Sequence, residues 1–139
     1  MFPLFYECGS RDILLVLLKP LDRDDTPTTV EEIEQRIGEI AFSANFMREM
    51  PMFAQATAYS RPVFLSVGKL ERRLQGARFH MIDSSRLPCL QRTDTKVLAH
   101  GPFLQLLMRQ GRERVQAGIG ELVAAVGRRA TLDVTRYFT

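Results

Sequence analysis

The run of six aliphatic residues at positions 13–18 (ILLVLL) constrains the fold of this chain more than any other feature. Turn-forming residues precede it at 9–12, and Lys19 and Pro20 follow it. A continuous apolar run of this length, bounded in this way, is typical of a strand buried on both faces, as in a parallel sheet. We therefore predict a strand over residues 12–18. The run is too short to cross a bilayer core of about 30 Å, and we predict no transmembrane segment.

A long helix is predicted after an acidic loop at residues 21–28. Thr29 and Glu32 have the spacing of a capping box, in which each side chain accepts a hydrogen bond from the backbone amide of the other. Pro51 should end or kink this helix, and further helices are expected over 52–59 and over 63–74, where Gly68 is a weak point. Apolar residues in the first helix recur every three or four positions and predict one buried stripe. The stripe consists of Val30, Ile33, Ile37, Ile40, Ala41, Ala44 and Met47.

A second strand is predicted over residues 78–83, after a turn at Gln75 and Gly76. A polar connection over 84–95 leads to an amphipathic helix over 102–126, for which Gly127 is the natural C-cap. The tail at 131–139 should dock loosely or as a short strand. The inner face of the long helix is predicted to contain Phe103, Leu106, Leu107, Val115, Ile119, Leu122, Val123 and Val126.

The order of these elements is βαβα, which predicts an α/β fold in which a right-handed crossover makes the two strands parallel. With 139 residues, 45% of them hydrophobic, the chain is expected to form a single domain over 1–139. Two strands, however, cannot cover both faces and both edges of a run as apolar as 13–18. The chain is therefore expected to be one part of a larger sheet.

Charge and cysteine content limit the classes of partner. The net charge is only +3, and the basic residues Arg112, Arg114, Arg128 and Arg129 are interpreted as a solvated helix face, so no nucleic-acid partner is predicted. Residues 1–4 lack the basic start of a signal peptide. With two cysteines, Cys8 and Cys89, far apart in sequence, we expect a reduced, cytoplasmic setting.

For each side chain that could carry catalysis, a structural role is the better interpretation. Ser10, Ser84 and Ser85 lack the flanking glycines of a nucleophile elbow and are interpreted as turn or capping residues. Cys8 has no base beside it in sequence and is expected to be a buried or partly buried thiol. His80 is predicted to be a hydrogen-bonded structural histidine, and His100 a solvent-exposed or capping residue at a helix entry.

Cofactor, metal and lipid sites have little support in the sequence. Gly118 and Gly120 fall inside a helical pattern, with Val123 where a dinucleotide loop would need a third glycine. The two histidines have no patterned partners for a metal. Arg48 and Glu49 are interpreted as an ion pair or a loop anchor on a helix. The group Met47, Met50, Met52 and Phe53 is predicted to be core or interface rather than a lipid-binding lip.

Several short segments occur in an order that is similar to a known family. They are residues 2–5 (FPLF), 11–16 (RDILLV), 27–29 (PTT), Glu32-Ile33, Arg36-Ile37, Glu39-Ile40, Phe42, 48–50 (REM), 80–82 (HMI), Phe103-Leu104, Gly111-Arg112 and 131–133 (TLD). In this order, over roughly 130 residues, the chain resembles the C-terminal part of bacterial patatin-like phospholipases. Pro51, Pro62 and Pro88 depart from the family pattern.

The resemblance implies a three-layer α/β/α fold and the chemistry of a serine–aspartate dyad. In the family, the serine elbow, the aspartate motif and the glycine-rich oxyanion loop all precede the segment matched here. Asp12 has no following glycine and does not match the dyad aspartate. We therefore expect a structural segment of a lipid acyl hydrolase that is inactive alone, with no catalytic, cofactor-binding or metal-binding residues of its own.

The partners implied are a lipid or acyl ester in the full-length context, with a cytoplasmic location that includes the membrane periphery. The alternative is a non-enzymatic interaction module, which would self-associate as a homodimer or bind a partner through uncovered sheet and helix faces.

Overall fold

The computed structural model describes Phe5 and residues 7–18, 26–60, 68–84 and 100–138. Within these ranges the fold is mixed α/β and mostly helical, with one two-stranded parallel sheet. The elements are β1 (Asp12–Leu17), α1 (Val30–Ser60), α2 (Lys69–Gly76), β2 (Arg78–Asp83), α3 (Gly101–Ala125) and α4 (Val134–Tyr137). The predicted βαβα order is confirmed.

Strand β1 has the predicted position, but the prediction that both of its faces are buried is wrong. Leu15 is buried, whereas Leu14 and Val16 on the opposite face are 46% and 58% exposed. Successive side chains of a strand point to opposite sides, so the part of this face of β1 that Leu14 and Val16 occupy is open. Among the described residues only β2 is hydrogen-bonded to β1, so the other edge of β1 has no partner strand there.

Helix α1 begins at the predicted capping box. The Glu32 amide donates to Thr29 Oγ1 at 3.2 Å, and the Thr29 amide donates to Glu32 Oε2 at 3.1 Å. The amides of Thr28 and Thr29 also lower the pKa of the Glu32 carboxyl. The helix then continues through Pro51 to Ser60, so the predicted separate helix over 52–59 is part of α1.

The prediction that the apolar stripe of α1 is buried is wrong. Val30, Ile33, Ile37, Ile40 and Met47 are all exposed, and the buried apolar residues of the helix come later, at Met50, Phe53 and Ala54. The periodicity identified a helix correctly, but nothing in the described chain covers that face of it. The hydrophobic effect stabilises a helix only where a second element removes its stripe from water.

Helix α2 begins after Gly68, which is its N-cap rather than a weak point within it. The earlier part of the helix predicted over 63–74 falls at 61–67, outside the described residues. Strand β2 has the predicted bounds, and the predicted turn at Gln75 and Gly76 lies in the last residues of α2. From residue 85 onward, the predicted polar connection also lies outside the described residues.

Helix α3 agrees with the prediction to within one residue at each end, and Gly127 lies just beyond its C-terminus with a φ of 78°. This left-handed backbone conformation favours glycine and confirms the predicted C-cap region. The predicted inner face is only partly covered, because Val115, Ile119, Val123 and Val126 are exposed. The tail pairs with the sheet at one point, an antiparallel bridge between Leu132 and Phe79, and then forms α4 rather than a strand.

The chain divides into two compact units. The first consists of Met1–Leu14, Asn45–Met81 and Leu122–Thr139, and it contains an aromatic core. In that core the ring of Phe53 lies 4.6 Å from that of Phe5 and 5.3 Å from that of Phe79, both edge-on. Edge-to-face packing at these distances is favourable beyond the area it buries.

The second unit consists of Leu15–Ala44 and Ile82–Glu121. Leu15 is its one buried hydrophobic residue in the described ranges. Its polar contacts include Arg114, which donates to the Asp83 carbonyl at 3.0 Å and to Asp83 Oδ1 at 3.3 Å. Nearly all of the described core therefore belongs to the first unit.

Candidate functional site

A cluster of polar side chains surrounds Asp12 in the first unit. Asp12 and Arg78 are the first residues of β1 and β2, and parallel strands place their starting ends at the same edge of the sheet. Arg78 Nε lies 2.9 Å from Asp12 Oδ1, and its Nη2 lies 2.7 Å from Oδ2. A guanidinium that donates to both oxygens of one carboxylate forms the strong, planar type of ion pair.

His80 is the second member of the cluster. Residues two apart on a strand share a face, so His80 points to the same side of β2 as Arg78. Its Nε2 is 3.2 Å from Asp12 Oδ1, its Nδ1 is 3.0 Å from Thr131 Oγ1, and the residue is 1% exposed. The predicted hydrogen-bonded histidine is thereby confirmed.

The backbone of Gly127 completes the set of donors to Asp12. Its amide donates to Asp12 Oδ1 at 3.1 Å. The hydrogen bonds from Arg78 hold the pKa of the Asp12 carboxyl far below its ordinary value; partial burial opposes this shift, while Gly127 and His80 add to it. The same pairing with Asp12 raises the pKa of Arg78. We refer to Asp12, Arg78, His80, Gly127 and Thr131 as the Asp12 cluster.

Thr131, His80 and Asp12 also lie in the order hydroxyl, imidazole, carboxylate that is found in nucleophilic enzymes. In such sites the carboxylate stabilises the imidazolium that forms when the hydroxyl loses its proton. Here the charge of Asp12 is already balanced by Arg78. A neutralised carboxylate stabilises an imidazolium poorly, so the geometry favours a structural link between β1, β2 and the tail.

Most of this cluster was not predicted from the sequence. The prediction for Asp12 concerned only the role of a dyad acid, and neither Arg78 nor Gly127 was predicted to be its partner. One signal was present, because Arg78 and His80 alternate on a short strand and must share a face. The contacts with Gly127 and Thr131, however, join residues 115 and 51 positions apart, which no local pattern reveals.

The other candidate residues do not assemble into a site. Ser10 Oγ accepts from the Asp12 amide at 3.2 Å within a turn, as predicted. Cys8 is exposed, so the predicted burial of its thiol is wrong. His100 is exposed at the start of α3, where its carbonyl accepts from the Leu104 amide, so the expected place at a helix entry is confirmed.

Several of the other candidates lie on helices. Gly118 and Gly120 lie within α3, which agrees with the rejection of a dinucleotide loop. In the methionine group of α1, Met50 and Phe53 are core, whereas Met47 and Met52 are exposed. Ser84 is buried, while Ser85 and Cys89 fall outside the described residues. Within the described ranges, no three His, Cys, Asp or Glu side chains lie close enough to hold a metal ion.

A basic cavity of about 340 Å³ also lies in the first unit, beside the start of β1 and helix α2. Arg11, Lys69, Arg72 and Arg73 line it together with the apolar side chains of Phe5 and Ile13. The Arg73 guanidinium donates to the Phe5 carbonyl and lies 5.4 Å from the centre of the Phe5 ring. No local sequence pattern predicts that these four cations lie together, because they come from two segments more than 50 positions apart.

Comparison with known proteins identified no relative: no protein-family model, no curated protein and no solved structure matches the chain. A search of the described helices for a stretch with the length and hydrophobicity of a membrane span found none.

Proposed function

We propose that this chain is a structural segment of a patatin-like lipid acyl hydrolase and supplies a strand and covering helices rather than catalytic groups. The observation that carries the proposal is the open face of β1. Leu14 and Val16 are exposed on a strand whose sequence is that of a strand buried on both faces. Further strands and a covering layer would bury these side chains in a larger sheet.

The Asp12 cluster gives the proposal a second support. Asp12, His80 and Thr131 belong to three of the segments on which the family resemblance rests, and His80 contacts the side chains of both Asp12, at 3.2 Å, and Thr131, at 3.0 Å. A structural requirement for these two contacts would explain why such segments occur together. The residues would hold the sheet and the tail together, while the acyl group would be processed elsewhere in the complete fold.

Ester hydrolysis tests this proposal. The chain is assayed with a p-nitrophenyl acyl ester, alongside Thr131→Val, which removes the hydroxyl, and Thr131→Ser, which retains it. We expect no turnover above the solvent rate in any of the three. Turnover that is lost in Thr131→Val and retained in Thr131→Ser would show that the Asp12 cluster is a nucleophilic site and would overturn the structural role.

A second candidate function is a non-enzymatic interaction module that self-associates. The observation in its favour is the uncovered stripe of α1, in which Ile33, Ile37 and Ile40 are all exposed. Exposed apolar residues in a contiguous row mark association surfaces more often than isolated ones do.

Solution mass tests the second candidate. Sedimentation of the wild-type chain is compared with that of Ile37→Lys, with Gln35→Lys as the control that adds the same charge beside the stripe. A dimer that becomes a monomer only in Ile37→Lys would support self-association through this stripe. A wild-type chain that is monomeric at every concentration would exclude it.

A further inference from the structure

The geometry of the basic cavity points to a function that is independent of the proposed role in acyl hydrolysis: we propose that it binds a phosphate monoester that carries a small apolar group. The proposal rests on the charges that line the cavity, on the absence of acidic side chains from the described part of its wall, and on the apolar residues among its lining.

Three of its four cations are available to a ligand. The Arg73 side chain is engaged with Phe5, whereas no hydrogen bond or ion pair of the Arg11, Lys69 and Arg72 side chains is found among the described residues. The part of the wall that the structure describes contains no acidic side chain. Glu71, in the same helix, places its carboxylate beside Gly68 and is not among the residues that line the cavity. The three cations repel one another unless an anion lies between them.

The number of charges distinguishes between kinds of anion. A carboxylate carries one negative charge and two oxygens, whereas a phosphate monoester carries nearly two charges near neutral pH and three acceptor oxygens. Two guanidinium groups and one ammonium group match the second kind, because arginine binds phosphate with a planar pair of donors and lysine binds it as a point charge. We therefore assign phosphate binding to the cationic residues Arg11, Lys69 and Arg72 of the cavity.

The apolar residues of the lining limit what the phosphate is attached to. Phe5 and Ile13 belong to the wall of the cavity, and the volume of about 340 Å³ is at the small end of ligand pockets. An inorganic phosphate would leave this wall in contact with water. A small aromatic or aliphatic group on the ester oxygen would cover it.

Phenyl phosphate is a suitable probe, with benzoate as the monoanion of similar shape. Binding to the whole chain is measured by calorimetry, and we expect phenyl phosphate to bind at least tenfold more tightly than benzoate, since one additional charge-assisted hydrogen bond contributes about that factor. Equal affinity for the two probes, or no saturable binding of phenyl phosphate, would overturn the proposal.

Substitutions locate the site. Lys69→Gln and Arg72→Gln should each weaken phenyl phosphate binding by about tenfold, whereas Arg112→Gln, which removes the same charge from an exposed position on α3, should leave it unchanged within about twofold. All three positions are exposed, and circular dichroism confirms that the variants remain folded. Equal weakening by all three would mean non-specific attraction to a basic protein, and it would overturn the assignment.

The same probe distinguishes a free phosphomonoester from a lipid head group. Vesicles of phosphatidylcholine with a minor fraction of phosphatidic acid present the same phosphate monoester at a bilayer surface. Binding to these vesicles that phenyl phosphate displaces would identify a lipid source. Binding of phenyl phosphate without binding to the vesicles would identify a soluble one. Both results require the cavity, and the binding should be weakened by about tenfold in Arg72→Gln in either case.

Discussion

At the scale of single residues, Asp12 has the most consequential environment in the chain. Its carboxylate accepts from Arg78, His80 and the Gly127 amide, and these donors lower its pKa far below that of a solvated aspartate. Each donor comes from a different position along the fold, so the contacts stabilise the folded chain and are lost in the unfolded one. Stability should therefore depend on the protonation of this one group.

Acid should destabilise the folded chain through Asp12. Because the folded-state pKa is lowered, the stabilisation is complete above the ordinary aspartate pKa of about 4 and is lost as the pH falls below it. The unfolding free energy is measured with urea at about pH 6 and at about pH 3. Between these two pH values it should fall less in Asp12→Asn than in the wild type. At about pH 6 the variant should be less stable by about 1–2 kcal/mol. Equal pH dependence in the two proteins would contradict this role of Asp12.

Thr131 should contribute to stability through its hydroxyl. His80 is buried, and removal of the Thr131 hydroxyl leaves the Nδ1 atom of His80 without its partner. We expect Thr131→Val to lower the unfolding free energy by about 1 kcal/mol, and Thr131→Ser to have little effect. The measurement is chemical unfolding of both variants. A loss in Thr131→Ser that Thr131→Val does not show would indicate that the methyl group of Thr131, rather than the hydrogen bond, is what matters.

At the scale of elements, the positions of helices and strands along the chain were predicted from the sequence more accurately than the burial of their side chains. The apolar run and the capping residues Thr29 and Glu32 were sufficient to locate β1 and the start of α1, since both are set by neighbours within a few residues. The stripe around Ile37 shows what local pattern cannot supply. Periodicity reveals that a helix face is apolar, but whether that face is covered depends on elements distant in sequence.

Pro51 shows the same limit of local sequence patterns, because it predicts a helix end that the structure does not have. Proline has no amide hydrogen and was expected to end or kink the helix, yet α1 continues through it to Ser60, with the buried residues Met50 and Phe53 on either side of Pro51. Packing on either side of a poor helix former can outweigh its propensity.

Replacement of Pro51 should therefore stabilise the chain. Pro51→Ala restores a donor to the helix and should raise the unfolding free energy by about 1–3 kcal/mol. Gln55→Ala, at an exposed position of the same helix, serves as the control and should change stability by less than about 0.5 kcal/mol. Thermal unfolding followed by circular dichroism measures both. A loss of stability in Pro51→Ala would mean that the helix needs the geometry that proline imposes.

At the scale of the whole molecule, burial is distributed unevenly. The aromatic core of Phe5, Phe53 and Phe79 lies in the first unit, whereas the described part of the second unit buries Leu15 and leaves Ile37 and Ile40 exposed. Substitutions of similar chemistry should therefore have very different effects in the two units.

A pair of substitutions measures this difference. Phe53→Ala empties the centre of the aromatic core and should cost about 3–5 kcal/mol. Ile37→Ala removes a side chain that is 61% exposed and should cost less than about 1 kcal/mol in the monomeric chain. Urea unfolding at low protein concentration gives both values. A cost for Ile37→Ala close to that of Phe53→Ala would show that the α1 stripe is covered in solution.

The donors to Asp12 also set an order of events during synthesis. Arg78, His80 and Gly127 follow the aspartate by 66, 68 and 115 positions, so the ribosome has made most of the chain before the carboxylate can meet its last partner. Contacts of such long range close slowly, because a long loop must be ordered before they form. The Asp12 carboxylate can therefore pair with Arg78 once β2 has been made, whereas its hydrogen bond with the Gly127 amide forms only after the whole of α3 has been made.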